Sequence, residues 1–166
     1  TENILQLREL ALKEVAFRVE KKVENEIVSI DKGVRHEKFL ACISSNEKTP
    51  RHIIRKAARL ASRYNTVFSA LYVQTPVEST ERINLASQRH LLNHFKLVTE
   101  LGGEVLQVAS ANVLDEIIKT CQEKQITTIC MGQPAFKMPS TLFSISKYKK
   151  FLASLAQMNI DLIILA

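Results

Sequence analysis

A chain of 166 residues, 46% hydrophobic and 24% charged, is long enough to bury a core and too ordinary in composition to be a disordered tail. Its net charge of +6 favours an anionic partner (nucleotide, nucleic acid or membrane surface) or reflects only a solvated surplus of lysine. No apolar run approaches a membrane span, no stretch reads as a signal peptide, and Cys42, Cys121 and Cys130 lack CxxC spacing, so they read as small core side chains in a reducing compartment.

The chain opens on Thr1 rather than Met, and the expectation is a piece of a longer protein. Residues 3 to about 24 read as a helix capped by Asn3, with Leu7, Leu10, Ala11, Val15, Val19 and Val23 at helical spacing. Its other face is charged. It packs either on a neighbouring domain or second chain, or on its own sheet. Residues 25 to 37 form a linker with room for a short strand at 27–30 and a turn at Asp31-Lys32-Gly33. The domain division expected is therefore 1–37, helix and linker, and 38–166, an α/β domain.

The first strand is read at about 38–43. Ser44 to Thr49 is a polar loop, and a helix starts at Thr49 or Pro50, with Thr as cap and Pro suited to the first helical position. Ile53, Ala57, Leu60, Ala61 and Tyr64 mark its inner side, and Arg51, Arg55 and Arg59 its outer stripe, which is ordinarily a solvated face. A second strand runs from about 66 to 73. A long helix follows over about 79–101, with Leu91, Leu92, Phe95, Val98 and Leu101 inside and Gly102-Gly103 as its stop. His90 and His94 have metal-ligand spacing, but no acid or thiol completes a site, so they read as surface histidines. Then come a strand at 104–108, a helix at 111–124 with Val113, Leu114, Ile117 and Ile118 inward, a strand at 126–131, a helix at 140–158 and a strand at 160–165. From Lys124 to Ile160 there are five lysines and no acid. The alternation predicts an α/β fold: a five-stranded, mostly parallel, doubly wound sandwich with an extra N-terminal helix.

Catalytic patterns are absent from the sequence. It has no GxSxG, Walker A or GxGxxG pattern, no HExxH or HxxEH, and Asp115 and Asp161 stand alone. The expectation is a domain without catalytic residues or metal. A nucleotide or phosphate site is better supported. Ser44, Ser45 and Asn46 lie between a strand end and a helix N-terminus, where free N–H groups and the helix dipole favour an anion. Gly132, Gln133 and Pro134 follow the fourth strand. If that strand lies beside the first, the two loops flank one crevice at the switch point, with Ser144, Ser146 and Lys147 in reach of a phosphate. Capping hydroxyls and a turn glycine account equally well for Ser144, Ser146 and Gly132.

The order of elements, the strand-end loop and Gly132 together resemble the universal stress proteins. The blocks Lys56-Ala57-Ala58-Arg59-Leu60-Ala61-Ser62-Arg63, Leu71-Tyr72-Val73-Gln74-Thr75-Pro76, Leu97 to Val105 and Ile129-Cys130-Met131-Gly132-Gln133-Pro134 resemble the universal-stress-protein-like domain of the KdpD potassium-sensing histidine kinases. Where ATP-binding stress proteins carry an Asp after the first strand, this chain has Ser44-Ser45. Where they carry a second loop glycine it has Ala135. The KdpD resemblance implies a regulatory cytoplasmic domain of an inner-membrane sensor kinase in a two-component system controlling potassium uptake. Some KdpD domains bind cyclic di-AMP through a Ser-x-Ser and Phe-Thr-Ala-x-Tyr pattern, matched here by Ser44-Ser45-Asn46 and by Phe68, Ser69, Ala70 and Tyr72. The ligand implied is cyclic di-AMP or ATP. The partners implied are a nucleotide messenger, other domains of the kinase, and a stress-protein partner or homodimer, with no nucleic acid and no membrane contact by this segment. Packed core is the alternative for Phe68, Ala70 and Tyr72. A docking module without nucleotide and a free-standing ATP-binding stress protein are the alternative functions.

Overall fold

The computed structural model describes residues 3–4, 6–13, 36–46, 48–79, 82–133 and 141–165, with the backbone alone at 141–144. The sequence readings at 14–35, including the 27–30 strand and the turn at 31–33, lie outside the described residues, as do Pro134 and Ala135. Two compact units are present, 1–36 and 37–166. The first holds helix α1 (described at 3–4 and 6–13), whose described side chains are all exposed, Ile4, Leu7, Leu10 and Leu12 included.

The second unit is a five-stranded sheet in the order β3-β2-β1-β4-β5, built from β1 (Phe39–Ile43), β2 (Phe68–Gln74), β3 (Glu104–Ala109), β4 (Thr128–Gly132) and β5 (Asp161–Leu165). Every pairing is parallel, with Phe39 opposite both Phe68 and Thr128. Parallel neighbours need a crossover, and four helices supply it: α2 (Thr49–Arg63), α3 (Leu85–Glu100), α4 (Val113–Lys124) and α5 (Thr141–Gln157).

Strand position explains strand composition. Central β1 and β2 are covered on both faces and are mostly apolar and buried, whereas the edge strands expose Glu104, Gln107 and Ala109 of β3 and Asp161 and Ile164 of β5. On one face Phe39, Ala41, Phe68, Ala70 and Tyr72 pack under Ile53, Ile54, Ala57 and Ala61 of α2 and Leu91 and Val98 of α3. On the other, Leu40, Leu71, Val73 and Ile129 pack under Ile117 and Cys121 of α4 and Phe151 and Leu155 of α5.

Several boundaries move for local reasons. Lys48, not Thr49, is the N-cap of α2, and its side chain makes no capping bond. The helix read over about 79–101 begins only at Leu85, because Asn84 caps α3 by accepting from the Ser87 N–H at 2.7 Å, and a 3₁₀ turn at Pro76–Glu78 precedes it. Leu92 and Leu101, expected inside, are exposed, and His94, expected at the surface, is buried in their place. Tyr64 is likewise exposed. α3 ends at Glu100 with Leu101 as C-cap, and Gly102 beyond it supplies a φ of +83°; the Gly103 N–H returns to the Val98 carbonyl at 2.8 Å. Asn65, Gln125 and Asn159 adopt the same left-handed conformation after α2, α4 and α5.

Candidate functional site

In a doubly wound sheet the strand order reverses beside β1, and loops at the carboxyl ends of β1 and β4 diverge there. β4 does lie beside β1. What gathers at this end is centred on β1 and β2. Glu78, carried by the 3₁₀ turn after β2, accepts from the Ser45 hydroxyl at 2.5 Å and from the Tyr72 hydroxyl at 2.8 Å, one on each carboxylate oxygen. The Gln74 amide donates to the Glu78 carbonyl at 3.1 Å and fixes the turn from below. The Tyr72 ring lies 6.0 Å from that of Phe95, so α3 holds it in place. Burial, and then the bond to the Glu78 carboxylate, push the Tyr72 phenol up from its ordinary value, so it donates throughout the neutral range.

The loop after β1 is tethered from the other side. His94 is 1% exposed, and its Nε2–H donates to the Asn46 carbonyl at 2.6 Å. Burial, with the positive charge of Arg51 and His90 nearby, lowers its basicity against the opposing effect of that hydrogen bond. The ring is therefore neutral, with Nδ1 buried and without a hydrogen-bond partner. The Asn46 N–H reaches the Ser44 hydroxyl at 3.4 Å, so Ser44-Ser45-Asn46 forms a turn immediately ahead of the N-terminus of α2.

A cleft of about 310 Å³ opens beside this loop. It is bounded by Cys42, Ile43 and Ser44 of β1 and its loop, by Leu71, Tyr72 and Val73 of β2, by Thr75, Val77 and Glu78, and by Val113 and Ile117 of α4. Its lining is apolar with a hydroxyl rim, and Glu78 is its charged member. A second hollow of about 270 Å³ on the α3 side shares Tyr72 and Glu78. The Cys42 thiol on the cleft wall is held protonated by burial, as are Cys121, pushed up to about 12, and Cys130, pushed up to about 11. Among the described residues no cluster of three His, Cys, Asp or Glu side chains could hold a metal.

The sequence-stated residues divide sharply. Ser44, Ser45, Asn46 and Tyr72 come together at the strand ends. Phe68, Ser69 and Ala70 do not: they open β2, opposite Phe39, Leu40 and Ala41, at the far end of the parallel sheet. All three are buried, and the Ser69 hydroxyl points to Glu104 at 3.4 Å. With strands rising about 3.3 Å per residue, Phe68 lies roughly 13 Å from Tyr72 along the strand, too far to share one small ligand's edge. Gly132 is absent from the cleft lining. A Cβ there would come within 3.0 Å of Thr49 Cγ2, so this glycine makes room for the first turn of α2. Gln133 and Ser146 are exposed, and neither lines the cleft. The Ser144 side chain and Pro134 lie outside the described residues. Glu78 and His94 were missed. Glu78 sits in a turn whose sequence, Thr-Pro-Val-Glu, reads only as a strand exit. The single signal for His94 was its place in the inward register of Leu91 and Val98.

The strand order, the all-parallel pairing and the helices on both faces define the fold of the universal stress proteins. A universal stress protein from Archaeoglobus fulgidus in complex with dAMP superposes with a TM-score of 0.54 at 11% identity, over 80% of this chain and 100% of that one. A universal stress protein in complex with cAMP gives 0.54 at 13% identity, over 80% and 98%. No family model matches the chain. Its sequence is 37% identical over 136 residues to the sensor protein KdpD of Clostridium acetobutylicum, and 32% identical over 136 residues to that of Escherichia coli, covering 79% and 80% of this chain. The chain corresponds to the universal-stress-protein-like domain of KdpD sensor proteins. It spans 14% and 15% of the length of those two relatives.

Proposed function

We propose that this domain is a regulatory, non-catalytic module of a sensor kinase for potassium uptake, and that it responds to an adenine nucleotide, cyclic di-AMP before ATP. The observation that carries the reading is the cleft at the ends of β1 and β2. It is bounded by Tyr72, carries the hydroxyls of Ser44 and Thr75, and opens beside the loop that leads into α2, whose N-cap residue Lys48 makes no side-chain capping bond. Structural neighbours of the same fold hold dAMP and cAMP. A base seated in this cleft would leave its phosphates toward the α2 terminus, where Lys48 and Arg51 are exposed. In this reading the domain faces the cytoplasm, and nucleotide acts by binding the two kinase states with different affinity.

One observation favours a second reading, a docking module that takes no nucleotide. Glu78 already satisfies the Ser45 and Tyr72 hydroxyls, and a phosphate brought against it meets a like charge. Calorimetric titration of the chain with cyclic di-AMP, ATP and AMP separates the two. Selective dinucleotide binding, weakened about tenfold or more by Tyr72→Ala, supports the messenger reading. ATP preference places the domain with the ordinary stress proteins. Binding of none of the three leaves the docking module.

A further inference from the structure

The basic surplus of this chain is concentrated in one layer of the fold. Of its 23 Lys and Arg and 17 Asp and Glu, seven cations and one acid lie on α2 and α3, leaving sixteen of each sign elsewhere. The two helices that cover one side of the sheet thus carry a net +6, against +2 on α4 and α5, which hold five cations and three acids.

Their outward faces are ordered. α2 is seated along its length by Ile53, Ile54, Ala57 and Ala61, which turns Arg51, Arg55 and Arg59 outward as one exposed stripe with no acid anywhere on the helix. On α3, packed on the same side of the sheet, Leu85, Arg89, Leu92 and Lys96 recur at helical spacing and are all exposed, Leu85 by 80% and Leu92 by 66%. Among the described residues the arginines of both stripes make no ion pair, and Lys96 meets Glu100 only at 4.0 Å. Cations at i, i+4 on one helix repel each other, so the α2 stripe weakens its own helix until a counter-charge arrives.

We propose that the outward face of α2 and α3 docks on an anionic lipid bilayer surface. A cluster of four to eight cations on an amphipathic helix is the pattern that meets acidic headgroups, and leucines set between cations are what an interfacial face inserts. The face is broad, because both helices lie flat along the sheet and neither projects to enter the groove of a duplex. Exposed leucines also find nothing to contact on a phosphate backbone. Apart from Arg51, which also stands at the α2 terminus near the cleft, this surface is separate from the cleft at the strand ends, and it does not depend on whether that cleft binds nucleotide. A peripheral contact of this kind departs from the expectation of no membrane contact by this segment, and it needs no spanning helix.

The test is co-sedimentation of the 166-residue chain with vesicles of mixed phosphatidylglycerol and phosphatidylcholine, against pure phosphatidylcholine, at low and high salt. Binding is expected only to the anionic vesicles and weakens as salt rises. Arg51→Glu/Arg55→Glu/Arg59→Glu lowers the partition coefficient by about a hundredfold or more. Lys119→Glu/Lys149→Glu/Lys150→Glu makes the same charge change on the opposite layer, and is expected to hold within about threefold. Circular dichroism confirms that both variants are folded; if the α2 variant is not, Leu85→Ser/Leu92→Ser reads the same face, with a loss of several fold. Equal binding to neutral vesicles, or equal losses in the two charge variants, overturns the proposal. So does a chain that ignores anionic vesicles and instead self-associates, retards a DNA duplex or takes up an acidic peptide.

Discussion

Tyr72 and Glu78 form a hydrogen-bonded unit that, together with the Gln74 amide, ties the end of β2 to the turn beyond it, and removing the Tyr72 hydroxyl tests that unit directly. Tyr72 is 2% exposed and its hydroxyl donates to a carboxylate at 2.8 Å. A hydrogen bond to a charged partner contributes about 1.5–3 kcal/mol, and Glu78 is half-buried, which places this one toward the lower end. Tyr72→Phe keeps the ring and its packing on Phe95, so the loss expected is about 1.5 kcal/mol, or about 3–6 °C in Tm for a chain of this size. Urea denaturation of the wild type, Tyr72→Phe, Glu78→Ala and the double variant closes a cycle, with a coupling of about 1 kcal/mol expected, because Ser45 remains on the carboxylate in the first variant. A Tyr72→Phe chain within about 0.5 kcal/mol of wild type, or a coupling near zero, would refute the unit. Tyr72 would then be plain core, and Glu78 a surface group free to turn toward a ligand.

Three further outcomes follow from other parts of the fold. A Cβ at Gly103 would lie 2.5 Å from the buried Phe68 ring, so Gly103→Ala is expected to destabilise by about 1–3 kcal/mol in denaturant melts. Gln125 closes α4 at a φ of +56°, and Gln125→Gly is expected to raise stability by about 1 kcal/mol, read as a higher urea midpoint at unchanged slope. Burial lowers the basicity of His94, so below the ordinary histidine value of 6.5 the unfolded chain takes up a proton that the folded one refuses. The His94 contribution to stability is full above that value and declines as pH falls below it. His94→Gln, whose amide can still donate to the Asn46 carbonyl, should flatten that acid limb; an unchanged limb would assign it to another group.

The candidate site was legible only in outline. Ser44 to Asn46 could be placed at a strand end because a polar run between an apolar run and an amphipathic helix has one position in a βαβ unit. Tyr72 shares that end because it lies among the last three residues of a seven-residue strand. Phe68, Ser69 and Ala70 were grouped with it by a linear pattern, but a strand spreads five residues over more than 10 Å and alternates their faces. Gly132 looked like room for a ligand, and the room is taken by Thr49. Neither outcome could be read without the register.

Apolar periodicity and the Gly, Asn and Pro punctuation determined five strands, the intervening helices and a doubly wound parallel sheet, since local alternation is a property of the chain itself. So did the blocks shared with KdpD. Which side chains meet was decided only by tertiary structure. Glu78 reaches Ser45 across 33 residues, and His94 reaches Asn46 across 48. Those contacts exist because the parallel order brings the ends of β1 and β2 together and lays α3 over the loop between β1 and α2. The exposure of the Arg51 and Leu85 stripes has the same origin. Spacing marks a stripe as one face, but only the packing of α2 and α3 on one side of the sheet turns both faces outward together.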